Sequence, residues 1–168
     1  MARSPAEDYR RKAERELDAV LRRLRQAAHP LPSGDLASGL MLVVEDPAGP
    51  RLLDALRRSL AAIGLPDAYV THASSGLLRQ ELHAADPALL VAVGPGAARS
   101  IDDLGYPLAR RRFSDAPEGE PFPWTGGTPG LRLPSLAPAL DSETAKRRFW
   151  RAFLALRNLP PLRPAGFL

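Results

Sequence analysis

The sequence predicts an α/β domain: a three-layer sandwich with a central, mainly parallel sheet. Two uninterrupted apolar runs of strand length carry that prediction, Leu40–Val44 and Ala88–Val93. A strand with no polar alternation suits a sheet covered on both faces, which is the condition of parallel sheets. Amphipathic helical segments alternate with the strands, the pattern of an α/β chain. The 168 residues are enough for one domain with a sizeable core.

Each element has its own local reason. From about Ala6 to Ala28, Leu17, Val20, Leu21 and Leu24 recur at helical spacing and form one apolar stripe, and Pro30 and Pro32 stop the helix. Residues 34–39 read as a loop before the strand at Leu40. Glu45 to Pro50 is a turn, followed by an amphipathic helix from Arg51 to Ile63 with Leu52, Leu53, Leu56 and Leu60 on one face and Gly64 as its stop. Ala68–Thr71 reads as a short strand and Leu77–Ala85 as a helix. After Ala88–Val93, Gly94-Pro95-Gly96 turns the chain into a short helix, Ala97–Leu104. Proline and glycine dominate from Gly105 to Gly130, a loop region with one edge hairpin. Leu131–Leu133 is a short strand. Asp141 or Ser142 caps a last helix that runs to about Arg157 and is expected to bury Phe149, Trp150 and Phe153. The expected organisation is an N-terminal helical segment over 1–32, the α/β domain over 33–159 and a flexible Pro-rich tail over 160–168.

Composition narrows the chemistry. Lys+Arg 23 against Asp+Glu 19 gives a net charge of +4, which permits nucleic-acid contact without demanding it. There is no cysteine, so disulfides, thiolate metal sites, cysteine nucleophiles and cysteine-held iron–sulfur clusters are excluded. The three histidines, His29, His72 and His83, lack metal-ligand spacing, so neither metal nor cofactor is expected. No apolar run approaches the roughly 18 residues that span a bilayer, and the first residues show no secretory pattern. A cytoplasmic protein without membrane partners is the expectation.

Three segments at strand ends carry a further pattern: Val44-Glu45-Asp46-Pro47-Ala48-Gly49, Thr71-His72 and Leu133-Pro134-Ser135. In these positions the chain resembles the uracil-DNA glycosylase superfamily, closest to its iron–sulfur bacterial and archaeal branch. That family carries Gly-Glu-x-Pro-Gly, Thr-Asn and His-Pro-Ser at the corresponding strand ends. The resemblance covers about Leu40 to Leu156 and implies a glycosylase-like fold. The branch's cluster cysteines have no counterpart near Gln26–Leu31, where His29 alone could ligate a metal.

The resemblance also implies what has been lost. A glycosylase extrudes the base and must position water, read the base edge and stabilise the leaving anion. Glu45 and Asp46 are the candidate water-positioning carboxylates. His72 stands where an Asn would read uracil. Leu133 stands where a His would donate to the leaving oxygen, and losing one such donor costs about 10²–10³ in rate. Pro47, Gly49, Leu133, Pro134 and Ser135 are a pocket remnant. The stretch that would hold a base-stacking aromatic is missing between Gly49 and the helix at Arg51. The plainer reading is that Glu45 or Asp46 caps the helix that follows, that His72 is a surface-loop residue, and that Pro134 and Ser135 shape a turn.

The expectation that follows leans away from an enzyme: a degenerate glycosylase-like protein with a binding or accessory role in DNA replication or repair. One rival is an active glycosylase for an unusual base, using Glu45, Asp46 and His72. Another is a protein-interaction subunit similar to the psi subunit of the replicative polymerase clamp-loader complex, which has an Ala-Leu turn before a Trp-bearing helix; here Ala139-Leu140 precedes Trp150. Non-sequence-specific DNA contact is assigned to Arg110, Arg111, Arg112, Lys146, Arg147 and Arg148. The N-terminal helix is the candidate protein-binding arm.

Overall fold

The computed structural model describes residues 4–158, and the tail expected over 160–168 lies outside them. Among the described residues one five-stranded sheet runs in the order β2-β1-β3-β5-β4. Its strands are β1 (Leu40–Val44), β2 (Tyr69–His72), β3 (Leu89–Val93), β4 (Phe122–Pro123) and β5 (Pro129–Leu133). β1 pairs in parallel with β2 and β3, and β3 with β5; β4 closes the edge hairpin antiparallel to β5. The two apolar runs are therefore neighbours at the centre, with Leu40 opposite Leu89 and Val44 opposite Val93.

Strand alternation sends side chains to two cores. Leu40, Leu42, Val44, Leu89, Val91, Val93, Leu131 and Leu133 face one side. There they meet Leu52, Leu56 and Leu60 of α2 (Pro50–Ala62) and Phe149 and Phe153 of α5 (Glu143–Phe153). Met41, Val43, Tyr69, Leu90 and Ala92 face the other side, against α3 (Leu78–Ala85), α4 (Pro95–Asp102) and Phe113. This two-sided burial is why the strands carry no polar alternation. The three-layer α/β expectation holds. No helix among the described residues is long and apolar enough to cross a membrane.

Helix α1 (Pro5–Gln26) starts in a capping box, with Ser4 accepting from the Glu7 amide and Glu7 accepting from Ser4. Its stripe docks on this same chain: Val20 and Leu24 pack with Leu77, and Leu17 touches the α3–α4 core. Tyr9 donates to Asp86 at 2.8 Å, holding the outer half of the helix. Burial and the Asp86 carboxylate raise the Tyr9 hydroxyl to a pKa of about 12. The chain after α1 is pinned too. Ser33 exchanges backbone hydrogen bonds with Val70 at 2.9 and 2.8 Å, covering the outer edge of β2.

Several boundaries shift. β2 extends to His72, and the last helix ends at Phe153 before a 3-10 turn over Leu154–Asn158. Ser142, not Asp141, caps α5 by accepting from the Ala145 amide at 3.3 Å. Trp150 was expected in the core but is 37% exposed on α5, stacked at 5.5 Å on buried Phe153. The aromatic-rich segment 105–130 is less loose than its composition predicts. Phe113, Phe122 and Trp124 interlock, with Phe113 edge-on to Phe122 at 4.9 Å. Gly130 permits this, because a Cβ there would come within 2.6 Å of the Phe122 ring.

The docking of α1 is open to a direct check. Leu24→Ala is expected to cost about 2–5 kcal/mol in urea unfolding. Leu21→Ala, at a half-buried position, is expected to cost much less. Equal, small losses at both positions would mean that α1 leaves the domain in solution.

Candidate functional site

The motif residues predicted at the strand ends fall there in two separate clusters, whereas the predicted basic residues lie elsewhere. Glu45, just past β1, reaches across the end of β3. Its Oε2 accepts from the Gly96 amide at 2.8 Å in the first turn of α4, and its Oε1 accepts from the Ser135 hydroxyl at 2.5 Å just past β5. The backbone repeats the tie, with Glu45 N–H donating to Val93 and Gly94 N–H to Leu133. The carboxylate lies so close under the turn that a Cβ at Gly94 would fall 2.1 Å from Glu45 Cδ. Gly94 also has φ +95°, a conformation that favours glycine.

Glu45 is thus a cap, but of α4 rather than of the helix that follows it. The next helix, α2, has Gly49 as its N-cap and no side-chain cap. A carboxylate at the α4 N-terminus meets both free amides and the positive end of the helix dipole. Both oxygens of Glu45 are engaged by protein donors, so water positioning would require one of these bonds to break.

The second cluster surrounds His72. This histidine is no surface-loop residue; it closes β2 and is 3% exposed. The His29 ring meets it edge-on at 5.8 Å. Burial pushes the His72 imidazole below its ordinary pKa; His29 adds to this, and Asp46 works against it. The Nδ1 of His29 sits 2.8 Å from the Pro30 carbonyl, which can only accept, so Nδ1 carries a hydrogen. The Nε2 of His29 meets Ser74 Oγ at 2.8 Å, and Ser74 donates to Asp46 at 3.1 Å. The resulting chain runs carboxylate, hydroxyl, imidazole. An acyl-transfer triad needs the imidazole between the other two, so this order does not activate the serine.

The remaining motif residues are structural in placement. Leu133 is fully buried among Val93, Leu131 and α5, and Pro134 is buried beside it. Pro47 and Gly49 are exposed at the approach to α2. No donor stands at position 133 to meet a leaving anion. Among the described residues, no group of three or more His, Cys, Asp or Glu side chains is placed to hold a metal ion.

The basic residues divide between the two faces of the sheet. Arg110, Arg111 and Arg112 lead into Phe113, on the α3–α4 side. Lys146, Arg147 and Arg148 lie on α5, on the opposite side. All three are exposed, and Arg148 forks onto Glu118 at 3.0 and 2.6 Å.

Sequence reasoning missed a buried carboxylate. Glu81 of α3 is fully buried and accepts from Tyr69 at 2.9 Å, Thr71 at 2.5 Å and Ser75 at 3.0 Å. Burial pushes its carboxyl above the usual range, with the three hydroxyls pulling the other way. The signal was present: Glu81 falls three residues after Leu78 and one before Leu82, on the apolar face of α3. Tyr69 and Thr71, two apart on β2, are its partners on the facing strand.

His72 and Glu81 act on stability with opposite sign. The His72 pKa is lower folded than unfolded, so its contribution is complete above about pH 6.5 and is lost as pH falls through the folded value. The Glu81 pKa is higher folded than unfolded, so its contribution is complete below about pH 4.5 and is lost as pH rises through the folded value. His72→Gln is therefore expected to flatten the fall in urea-unfolding stability from pH 7.5 to pH 5, relative to the unmodified chain. An unchanged pH slope would mean that folding does not disfavour the charged form of His72.

No protein-family model matches this chain, and no curated protein sequence matches it significantly.

Proposed function

We propose that this is a glycosylase-like α/β protein whose strand-end site no longer cleaves bases, and that it serves as a binding or accessory protein in DNA replication or repair. One observation carries the reading most: the Glu45 carboxylate is spent on the Gly96 amide and the Ser135 hydroxyl, across the strand ends where a glycosylase holds its base. Leu133 buried beside it supports the same reading, because a leaving uracil anion needs a donor there. The positive net charge and the Arg110–Arg112 group are consistent with a nucleic-acid partner.

A second reading, a protein-interaction subunit, is favoured by Trp150. Its partly exposed ring rests on Phe153 and is flanked by exposed Arg147 and Arg151. Aromatic and arginine side chains are enriched at protein interfaces.

The expected result with uracil-containing single- or double-stranded DNA is no release of free uracil. Restoring histidine by Leu133→His alone is expected not to rescue release, because Glu45 stays tied and the second motif is also changed. Turnover by the unmodified chain that Glu45→Ala or Asp46→Ala abolishes would overturn the reading in favour of an active glycosylase.

A further inference from the structure

Away from the strand ends, a cavity of about 340 Å³ opens beside the C-terminal end of α4. Its walls include Tyr106, Trp124 and the three arginines Arg110–Arg112. Each wall is fixed by local structure. The Arg110 amide donates to the Trp124 carbonyl at 2.7 Å, tying the arginine segment to the β4 end. Tyr106 lies tilted against Trp124 at 5.1 Å, so one aromatic is braced by another that is itself buried.

The three arginines are not equivalent. Arg111 donates to the Asp115 carbonyl at 3.1 Å and lies over the Phe122 ring at 5.7 Å. Arg112 faces Asp102 at 3.8 Å. The Arg110 guanidinium has no hydrogen-bond or ion-pair partner among the described residues. It rests against Gly126, where an added Cβ would come within 3.2 Å of its NH2 group. An exposed, planar five-donor cation thus lines the cavity with its donors unmatched within the described residues, and phosphate oxygens can accept from it.

Two carboxylates also line the cavity, Asp102 and Asp115. Asp102 is consumed within the fold, accepting from the Phe113 amide at 2.7 Å and from the Ser114 amide and hydroxyl at 3.1 and 2.6 Å. Asp115 is exposed. Three arginines against two carboxylates leave a small positive excess, which suits a singly charged phosphodiester better than a multiply charged polyphosphate.

We propose that this cavity binds one nucleotide unit of a single-stranded nucleic acid, with the phosphodiester on Arg110 and the base against Tyr106. Sequence-independent single-strand binding combines these two elements, a cationic track and an aromatic stacking wall. The proposal rests on the reading of the chain as a nucleic-acid accessory protein, and it places the contact away from both the strand-end remnant and the α5 basic residues.

The test is fluorescence anisotropy of a labelled oligothymidylate of about 12 nucleotides, a length on the order of one such binding site, with the full chain at low salt. Arg110→Glu is expected to weaken binding by about tenfold or more, and Arg110→Ala to lower the log–log salt slope by about 0.7. The double variant Lys146→Ala/Arg147→Ala is expected to bind within about twofold of the unmodified chain. In a Trp150→Phe background, the oligomer is expected to quench Trp124 fluorescence. Arg110 is exposed, so its variants should melt as the unmodified chain does.

Unchanged binding by Arg110→Glu, with loss in the Lys146/Arg147 variant, would overturn this site and leave the nucleic-acid role standing. Competition by thymidine monophosphate as effective as that by the oligomer would overturn the single-strand assignment in favour of a free phosphomonoester. No binding by the unmodified chain would overturn both the site and the nucleic-acid role. The inactivity prediction for uracil release would be untouched by any of these outcomes.

Discussion

One side chain connects three strands. Glu45 leaves β1, passes beneath the Gly94 turn after β3 and reaches Ser135 after β5. The chain offers few other ways to close these strand ends. Pro95 supplies no amide at the start of α4, and Gly94 gives the turn no side chain that could cap the helix. The Glu45 carboxylate replaces both, and it requires glycine at 94 and a small, donating residue at 135. Glu45, the Gly94-Pro95-Gly96 turn and Ser135 are therefore bound to each other as a structural unit.

That constraint shapes the functional account. In a parallel α/β sheet the carboxyl ends of the strands are where ligands ordinarily sit. Here β1, β3 and β5 are tied together at that edge, and the end of β2 is occupied by the edge-on contact of His72 with His29 and the link from Ser74 to Asp46. The unpaired arginine and braced aromatic ring occur elsewhere, beside the far end of α4. The proposed binding site therefore lies apart from the tied strand ends.

The fold was legible where burial dictates residue type. Leu40–Val44 and Leu89–Val93 face helices on both sides, so every position is apolar and the strands announce themselves. The cap of α5 was narrowed by sequence to Asp141 or Ser142, and the structure places it at Ser142. The site was less legible because its contacts are long-range. Glu45 bonds to residues 51 and 90 positions away, and no periodicity within a helix or strand encodes such a pairing. His72 read as a loop residue because β2 is only four residues long, and its burial depends on His29 from a different segment. Trp150 read as core because it lies next to Phe149, yet the α5 stripe that enters the core is Phe149, Ala152 and Phe153. The segment 105–130 read as loop because its order comes from aromatic interlocking rather than from backbone repeats.

The central claim is that Glu45 joins the ends of β1, β3 and β5. A double-mutant cycle on Glu45→Ala and Ser135→Ala, measured by urea unfolding, tests it most directly. The two losses should be coupled by about 1 kcal/mol or more, because each variant removes the same hydrogen bond. Hydrogen exchange at the Gly96 amide should also quicken in Glu45→Ala and hardly change in Ser135→Ala. Additive losses, with Gly96 exchange indifferent to position 45, would contradict the account.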